Sequence, residues 1–381
     1  MIYLDYNATT PIAEPVRQAM LPFLAEQYGN PSSSHALGHA AARAVEQARG
    51  QVAKLLGCQT DEVIFTGGGT ESNNMAIQGA LFQHTPPRKS DVPRGHLVIS
   101  AIEHPATTAP AKFLESLGYE VSIVGCDDQG VINPVEVAAT LRSDTVLVSI
   151  MHANNEVGAM EPVAEIASIC KARGVLCHTD AAQSVGKVST RVDTLGVDML
   201  SVAGHKMYAP KGVGALFVRQ GVELEPVLHG AGHEQGRRPG TENVPYIVAL
   251  GRAAELMFEG QQEATQRMRS LRDRLEENIR EGIGSPATVN AGQTARLPNT
   301  LSINFPGVNG AELLARCPDL CASTGAACHS GDSSLSATLR AMGLPEEVAR
   351  GTVRLSVGRA TSEEEVEQAA AMLVDAWRAL S

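Results

Sequence analysis

The stretch GVLCHTDAAQSVGKVSTRVDTLGVDMLSVAGHKMYAPKGVGALFV (residues 174–218) decides the fold. It contains three short apolar runs: GVLCHTD (174–180), DMLSVA (198–203) and GVGALFV (212–218). Runs of this length, rich in Val and Leu and bounded by turn residues, predict buried β-strands. Ligands of open α/β sheets bind just beyond the carboxyl ends of the strands. The polar residues that end or follow these runs are therefore candidates for a binding site.

The same pattern extends toward the N-terminus, where apolar runs alternate with helical patterns. Predicted strands VIFT (63–66), HLVIS (96–100) and TVLVSI (145–150) precede helices that start at Thr70, near Pro105 and near Pro162, and an amphipathic helix covers 35–56. Strands alternating with helices indicate parallel strands joined by helical crossovers. The sequence therefore predicts an α/β fold with a doubly wound, mainly parallel sheet.

The pattern changes from about residue 245. A long, charged helix is predicted over 245–281, as expected of a helix that leaves one domain for another. Two strand-like runs and three helices are predicted after it, namely TLSINF (300–305), TVRLSV (352–357), 310–316, 332–342 and 362–380. We expect a large domain over 13–255 and a small α+β domain formed by 1–12 and 256–381.

Composition excludes several classes of function. The chain has 381 residues, of which 43% are hydrophobic, so it can bury a sizeable core. Its net charge is −11, which disfavours nucleic acid and anionic lipid as partners. The first residues, MIYLDYNATTP, do not read as a secretory signal, and no apolar run approaches a transmembrane length.

The seven cysteines are scattered, and their odd number argues against a disulfide framework. Cys317, Cys321 and Cys328-His329 lack the spacing of a standard zinc site, so no metal is expected. The cysteine pattern predicts a reducing, cytoplasmic location.

Two segments could bind an anion. In GGGTES (67–72), between a predicted strand and a helix, glycines allow close approach and free amides at the helix start favour phosphate. RRPGTEN (237–243) is a polar loop rich in donors. Taken alone, the first segment favours an ordinary tight turn, and the second is also consistent with a basic surface turn.

Asp180 and Lys206 each follow a predicted strand. A carboxylate at a buried strand end is costly unless it is paired, and a protonated ring nitrogen, as in pyridoxal phosphate (PLP), is one natural partner. The alternative is an Asp that caps the next helix. Lys206, beside Gly204 and His205, is a candidate for the lysine that binds such a cofactor covalently. A solvated loop lysine is the alternative.

Four further residues suit the same chemistry. His104 could stack on a flat cofactor and exchange protons, and Asn155 offers a neutral donor. Arg354 has the guanidinium fork that matches a carboxylate. Cys328, in STGAACHSG (323–331), is a thiol among small residues, which suits an accessible nucleophile better than a buried hydrophobe.

Together, these segments resemble the cysteine desulfurases and selenocysteine lyases, class V enzymes of PLP fold-type I. The matching segments occur in family order along nearly the whole chain: LDYNATTP, GNPSSSHALG, FTGGGTESNN, EHPA, NNEVG, HTDAAQSVGK, GHKMYAPKGVG, RRPGTEN, LPNTLSI, GAACHS and RLSVGR. The resemblance implies a fold-type I transferase that binds PLP and acts as a homodimer.

The resemblance also implies a role for each candidate residue. Lys206 would hold PLP, Asp180 would pair with the ring nitrogen, Gln183 would bond the ring hydroxyl and His104 would stack on the ring. The phosphate would be bound by Gly69, Thr70, His205 and, from the other subunit, Thr241. Asn155 and Arg354 would hold the substrate carboxylate, and Cys328 would be the nucleophile.

The implied reaction converts L-cysteine to L-alanine and leaves a persulfide on Cys328, from which a sulfur acceptor such as a protein would take the sulfur. Ala203 stands where many relatives have a serine that binds phosphate. The segments GAACHS, PGTEN and LSVGR look closer to selenocysteine lyases, so release of selenium from L-selenocysteine is the alternative. A PLP aminotransferase and a non-catalytic scaffold are weaker alternatives.

Overall fold

A computed structural model of the protein describes residues 1–86, 95–284, 286–324 and 336–381. The strands are β1 (Ile2–Tyr3), β2 (Val63–Thr66), β3 (His96–Ser100), β4 (Glu120–Val124), β5 (Thr145–Ser149), β6 (Leu176–Asp180), β7 (Met199–Ala203), β8 (Gly214–Val218), β9 (Thr288–Val289), β10 (Thr300–Asn304), β11 (Leu320–Cys321) and β12 (Thr352–Ser356). The α-helices are α1 (Glu14–Ala25), α2 (Ala36–Leu56), α3 (Gly69–His84), α4 (Pro105–Ser116), α5 (Pro134–Thr140), α6 (Val163–Arg173), α7 (Val192–Leu195), α8 (Val244–Glu259), α9 (Gln261–Ile283), α10 (Gly310–Ala315), α11 (Ala337–Ala341), α12 (Glu346–Ala349) and α13 (Glu363–Arg378). Short 3₁₀ helices lie at Thr60–Glu62, Gly204–Lys206 and Glu234–Gly236.

The central sheet has the order β2-β8-β7-β6-β5-β3-β4 among the described residues. The run from β7 to β4 is parallel, which confirms the predicted α/β fold with a mainly parallel sheet. Only β8 opposes its neighbours β2 and β7, because the connection 204–213 is too short for the crossover that a parallel pair requires. The strands β2, β3, β5, β6 and β7 therefore end at one edge of the sheet.

Alternate residues of each strand face opposite layers of helices. Met199 and Leu216 pack with α3 in one apolar cluster, whereas Leu200 and Phe217 pack with α2, α6 and α8 in another. The sheet is thus covered on both faces, which explains why its strands read as nearly continuous apolar runs.

A second core lies outside this sheet. It joins Ile2 and Leu4 to the apolar faces of α9 and α13 and to the antiparallel sheet β12-β10-β9. The strand β1 pairs in parallel with β11, near the C-terminal part of the chain. These separate cores support the division into 13–255 and 1–12 with 256–381, which we keep as a proposal.

The single helix predicted over 245–281 is wrong, because α8 ends and α9 begins on either side of Gly260. Gly260 has φ −113° and ψ 19°, outside the helical region. Helix α8 packs on α1 and α2, whereas α9 packs on α13. Because of the break, two consecutive helices pack on two different apolar cores. None of the described helices is both long and apolar enough to cross a lipid bilayer.

Candidate active site

A cavity of about 720 Å³ lies at the edge of the central sheet where the parallel strands end. Most of the residues that the sequence proposed for a site line it: Gly69, Thr70, His104, Asn155, Asp180, Gln183, His205, Lys206 and Arg354. The structure therefore brings together residues from both ends of the chain, as expected of strand-end loops in such a fold.

Asp180 ends β6, and only 7% of its surface is exposed. One carboxylate oxygen, Oδ2, accepts a hydrogen bond of 2.7 Å from Nδ2 of Asn73 on α3, and Oδ1 accepts one of 2.9 Å from the backbone of Ala182. The residues that follow form turns, and the next helix begins only at Val192. The alternative in which Asp180 caps the next helix is therefore wrong. Asp180 instead lines the cavity, where its carboxylate can face a ligand.

Lys206 follows β7 in a single 3₁₀ turn, and its half-buried side chain lines the same cavity. Burial lowers the pKa of the Lys206 amine, the charge of Asp180 raises it and the charge of Arg354 lowers it, with burial dominant. Within the described residues, no hydrogen bond ties down this amine. It is not the solvated loop lysine of the alternative interpretation, but an amine that loses its proton readily.

The start of α3 forms one end of the cavity, where Gly69 and Thr70 line the wall. Gly68 precedes the helix with φ +144°, a conformation that only glycine adopts readily. Helix starts carry unpaired N–H groups that favour anions. Burial, followed by the charges of Lys206 and Lys211, lowers the pKa of His205 to about 4, so its imidazole is neutral at pH 7.

His104 is held by the first turn of α4, where its Nδ1 accepts a hydrogen bond of 3.1 Å from the backbone of Ala106. This contact fixes the ring at the cavity wall. The preceding residue, Glu103, was not predicted. Its Oε1 accepts hydrogen bonds from Ser100 and from the backbone of Met151, and burial raises its pKa to about 8. Glu103 is therefore a neutral carboxylic acid beside the cavity at pH 7.

Arg354 lies at the centre of β12, and it is 5% exposed. Its Nη2 donates to Oδ1 of Asp5 at 2.8 Å, and its Nη1 donates to the carbonyl of Asn155 at 3.0 Å. Its Nε has no partner within the described part of the chain. A guanidinium with a buried, unused N–H can donate a hydrogen bond to a further, anionic ligand.

Gln183 lines the cavity and also belongs to a buried cluster that the sequence did not reveal. Its Nε2 donates to the backbone carbonyl of Asn7 at 2.9 Å, and Nζ of Lys187 donates to its Oε1 at 3.1 Å. The spacing of four residues between Gln183 and Lys187 is the only local signal of this contact. Asn7 lies in the N-terminal motif LDYNATTP, and no local pattern links it to either residue.

Among the described residues, one predicted site residue is not part of this wall. Thr241 is exposed and does not line the cavity of its own chain. Its loop is tied to the start of α3 by an ion pair of 2.8 Å between Arg238 and Glu71. Cys328 lies outside the described residues.

The described residues that flank 325–335 contact the cavity wall on both sides. Ser323 exchanges backbone hydrogen bonds with Arg354, and the hydroxyl of Ser336 donates to the carboxylate of Glu156. Ala337 and Thr338 also line the cavity. The described residues on both sides of 325–335 therefore lie beside the predicted site.

Comparison with known proteins places this arrangement in a family. The profile of the family described as aminotransferase class-V matches residues 2–369. The chain is 45% identical to cysteine desulfurase 2 of Trichormus variabilis, with 100% of this chain and 95% of that protein covered. It is 42% identical to cysteine desulfurase IscS of Dictyoglomus turgidum, with coverage of 96% and 91%. The solved structure of a NifS-like protein superposes with a TM-score of 0.90 at 36% identity, covering 98% of both chains.

Proposed function

This chain belongs to the aminotransferase class-V family, and from that premise we propose that it is a PLP-dependent cysteine desulfurase. It would convert L-cysteine to L-alanine and leave a persulfide on Cys328. Similarity to proteins named cysteine desulfurase over the whole chain supports the reaction. The observation that carries the proposal is that Lys206, Asp180 and the start of α3 line one cavity.

The residues of the cavity fit PLP. Lys206 offers an amine without a hydrogen-bond partner in the described chain, Asp180 offers a buried carboxylate for a ring nitrogen, and the start of α3 offers free amides for a phosphate. Ala203 supplies no hydroxyl at the phosphate end, where its methyl group would lie 3.2 Å from a Cβ at Gly69. When bound, PLP supplies an electron sink for a carbanion next to the substrate nitrogen.

Substrate binding and proton transfer would depend on the chain's own residues. Arg354, with its unused Nε–H, would bind the substrate carboxylate. Lys206, whose pKa is lowered by burial, would take the proton from the substrate Cα as a general base. His104, held by α4, would exchange protons with the leaving sulfur.

Cys328 would complete the transfer. Its thiolate attacks the substrate sulfur, the Cβ–S bond breaks as the new S–S bond forms, and the substrate carbon gains a proton to give alanine. The contacts of Ser323 and Ser336 at the cavity wall support this role, because they hold both ends of the segment that carries Cys328 near the substrate site.

Further parts of the proposal concern partners. We propose a homodimer in which Thr241 reaches the phosphate of the partner subunit, since Thr241 is exposed and lies outside its own cavity. A sulfur-acceptor protein would take the persulfide sulfur. The cytoplasmic location stays a prediction.

The experiment is a paired assay of alanine release and of persulfide on the protein. Cys328→Ser should abolish the persulfide and lower sulfur transfer by at least about a hundredfold, because a hydroxyl is a poor nucleophile toward sulfur. Cys321→Ser is the matched control, since Cys321 is a half-buried free thiol close to Cys328 in sequence. Wild-type sulfur transfer by the Cys328→Ser variant would refute the proposed role.

The same assay with L-selenocysteine tests the substrate. The proposal expects both alanine and a Cys328 persulfide from L-cysteine. If alanine formed from L-selenocysteine alone, the protein would be a selenocysteine lyase.

A further inference from the structure

We infer that Lys187 is a positioning residue, which fixes the carboxamide of Gln183 so that its Nε2 donates a hydrogen bond to the ring oxygen of PLP. The inference rests on the proposed function, because it concerns how the chain holds that cofactor. Lys187 itself does not line the cavity. It would act through Gln183, which does.

The contacts of Lys187 are short and buried. Its Nζ lies 3.1 Å from Oε1 of Gln183 and 3.1 Å from Oδ1 of Asn7, and 7% of the residue is exposed. Among the described residues, no carboxylate forms an ion pair with it. A buried lysine without a counter-charge is unusual, since charged side chains are rarely buried unless they are paired.

A lowered pKa explains how a buried amine is tolerated at this position. Burial, followed by the charges of Lys206 and Arg354, lowers the pKa of Lys187 well below its usual value. A neutral amine has two N–H groups, and Lys187 has two carbonyl acceptors. In its uncharged form Lys187 can therefore satisfy both N–H groups, and the geometry makes it a donor to Gln183 and Asn7.

The orientation of both amides follows from backbone carbonyls, which can only accept. The carbonyl of Asn7 accepts from Nε2 of Gln183 at 2.9 Å, so Oε1 of Gln183 must be the atom that faces Lys187. The carbonyl of Asn155 likewise accepts from Nδ2 of Asn7, so Oδ1 of Asn7 faces Lys187. Lys187 closes a network in which each amide has one orientation.

This network fixes the direction in which Gln183 can donate a hydrogen bond. One N–H of Gln183 Nε2 is used by Asn7, and the second is left to donate to a ligand in the cavity that Gln183 lines. Without Lys187, Oε1 of Gln183 would be a buried acceptor without a partner. The carboxamide would then gain by rotating away, which would weaken its donation to an oxygen anion on the ligand.

The experiment compares Lys187→Met, Gln183→Ala and the double variant. Apoprotein of each is titrated with PLP, and the dissociation constant is measured by protein fluorescence. The pH midpoint of the visible absorption band of the bound cofactor is measured without substrate. Lys187→Met should raise the dissociation constant about fivefold to tenfold, as expected when one hydrogen bond to an anion is weakened but not lost. It should also move the pH midpoint upward.

In the Gln183→Ala background, Lys187→Met should change either quantity by less than about twofold, because the carboxamide that it positions is gone. Lys171→Met, on the exposed side of α6, is the matched control and should change neither. Lys187→Gln, which keeps N–H donors on a shorter side chain, should give a smaller effect than Met and serves if Met prevents folding. Independent, multiplicative effects of Lys187→Met and Gln183→Ala would overturn the inference. Failure of the wild-type protein to bind PLP would instead refute the proposed function.

Discussion

At the scale of single residues, Lys206, His205 and Glu103 line one cavity. Burial lowers the pKa of Lys206 and of His205 and raises that of Glu103, so it favours the neutral form of each. Asp180 differs in its contacts, because hydrogen bonds from Asn73 and from the backbone of Ala182 hold its two carboxyl oxygens in place. A site with a carboxylate held in place among neutral groups can keep a bound pyridine ring protonated. Asp180 is therefore the residue on which the chemistry of the cofactor depends most.

Asp180→Asn should weaken PLP binding by about 2–5 kcal/mol and lower the rate of alanine formation, because the charge opposite the ring nitrogen is lost. The variant should fold, since Oδ1 of Asn73 has no partner among the described residues and can accept from the new amide after a rotation. Fluorescence titration and the alanine assay check both effects.

Asp198→Asn is the control for this prediction. Asp198 accepts a backbone hydrogen bond from Cys177 and lies outside the cavity. If the two variants bound PLP equally well, Asp180 would not be the partner of the ring.

Glu161 gives a prediction on stability. It is 5% exposed, its Oε1 has no partner within the described residues, and burial raises its pKa to about 8. The folded protein therefore keeps a proton that the unfolded chain releases above about pH 4.5. Its contribution to stability is present below pH 4.5 and is lost as the pH rises toward 8.

Glu161→Gln should remove this pH dependence of stability. Between pH 5 and pH 8, the free energy of unfolding of the variant should therefore rise by on the order of 3 kcal/mol relative to that of wild type. Thermal unfolding at pH 5, 6.5 and 8 measures it. Glu165→Gln, on the exposed side of α6, is the control and should parallel wild type. A constant difference between wild type and Glu161→Gln across this range would contradict the assignment.

At the scale of elements, the loop before α3 depends on close contact with β8. A Cβ at Gly214 would lie 2.4 Å from the carbonyl of Val202 and 2.8 Å from the Cα of Gly68. Both neighbours are backbone atoms, so they cannot move away without displacing the strand or the loop. The absence of a side chain at Gly214 thus sets where the free amides of α3 lie.

Gly214→Ala should shift that loop and lower the affinity for PLP or phosphate by at least about tenfold, with a loss of stability of about 1–3 kcal/mol. Gly50→Ala is the contrasting variant. Gly50 lies inside α2 with no atom within 4 Å of its would-be Cβ, so alanine should stabilise the helix by about 0.5–1 kcal/mol. Titration with PLP and thermal unfolding of both variants separate the two effects. Unchanged affinity in Gly214→Ala would show that the contact does not set the loop.

At the scale of the whole molecule, the proposed dimer can be tested by complementation between subunits. If Thr241 serves the partner's cavity, a subunit carrying Thr241→Ala and one carrying Lys206→Ala form a mixed dimer with one intact site. Random mixing makes about half of the dimers mixed, so activity should reach about a quarter of wild type. Each variant alone should be far less active.

The assay is alanine release after the two variants have been dissociated together and reassembled. A mixture of wild type with a subunit carrying both substitutions should reach about a quarter of wild-type activity if Thr241 serves the partner, and about half if it serves its own chain. Activity of the Thr241 and Lys206 mixture that never exceeded the mean of the separate variants would mean that Thr241 serves its own chain.

The sequence by itself determined eight of the described strands and the residues at their ends, whereas β1, β4, β9 and β11 were not predicted. Apolar runs identify buried strands, and parallel strands end at one edge, so Asp180 and Lys206 were predicted to meet from local pattern alone. The short connection between β7 and β8 likewise limits that pair to an antiparallel arrangement. These features depend on chain periodicity and chain length, which a sequence displays directly.

Only the tertiary structure decided which side chains support the site. Asn7 and Lys187 are 180 residues apart, and Asp5 and Arg354 are 349 residues apart, yet both pairs are in hydrogen-bond contact. The helix break at Gly260 was hidden for a related reason, since α8 and α9 pack on different cores. Contacts of this kind depend on how the sheet and the second core pack together. No local pattern records that packing, because each partner is chosen by distance in space rather than along the chain.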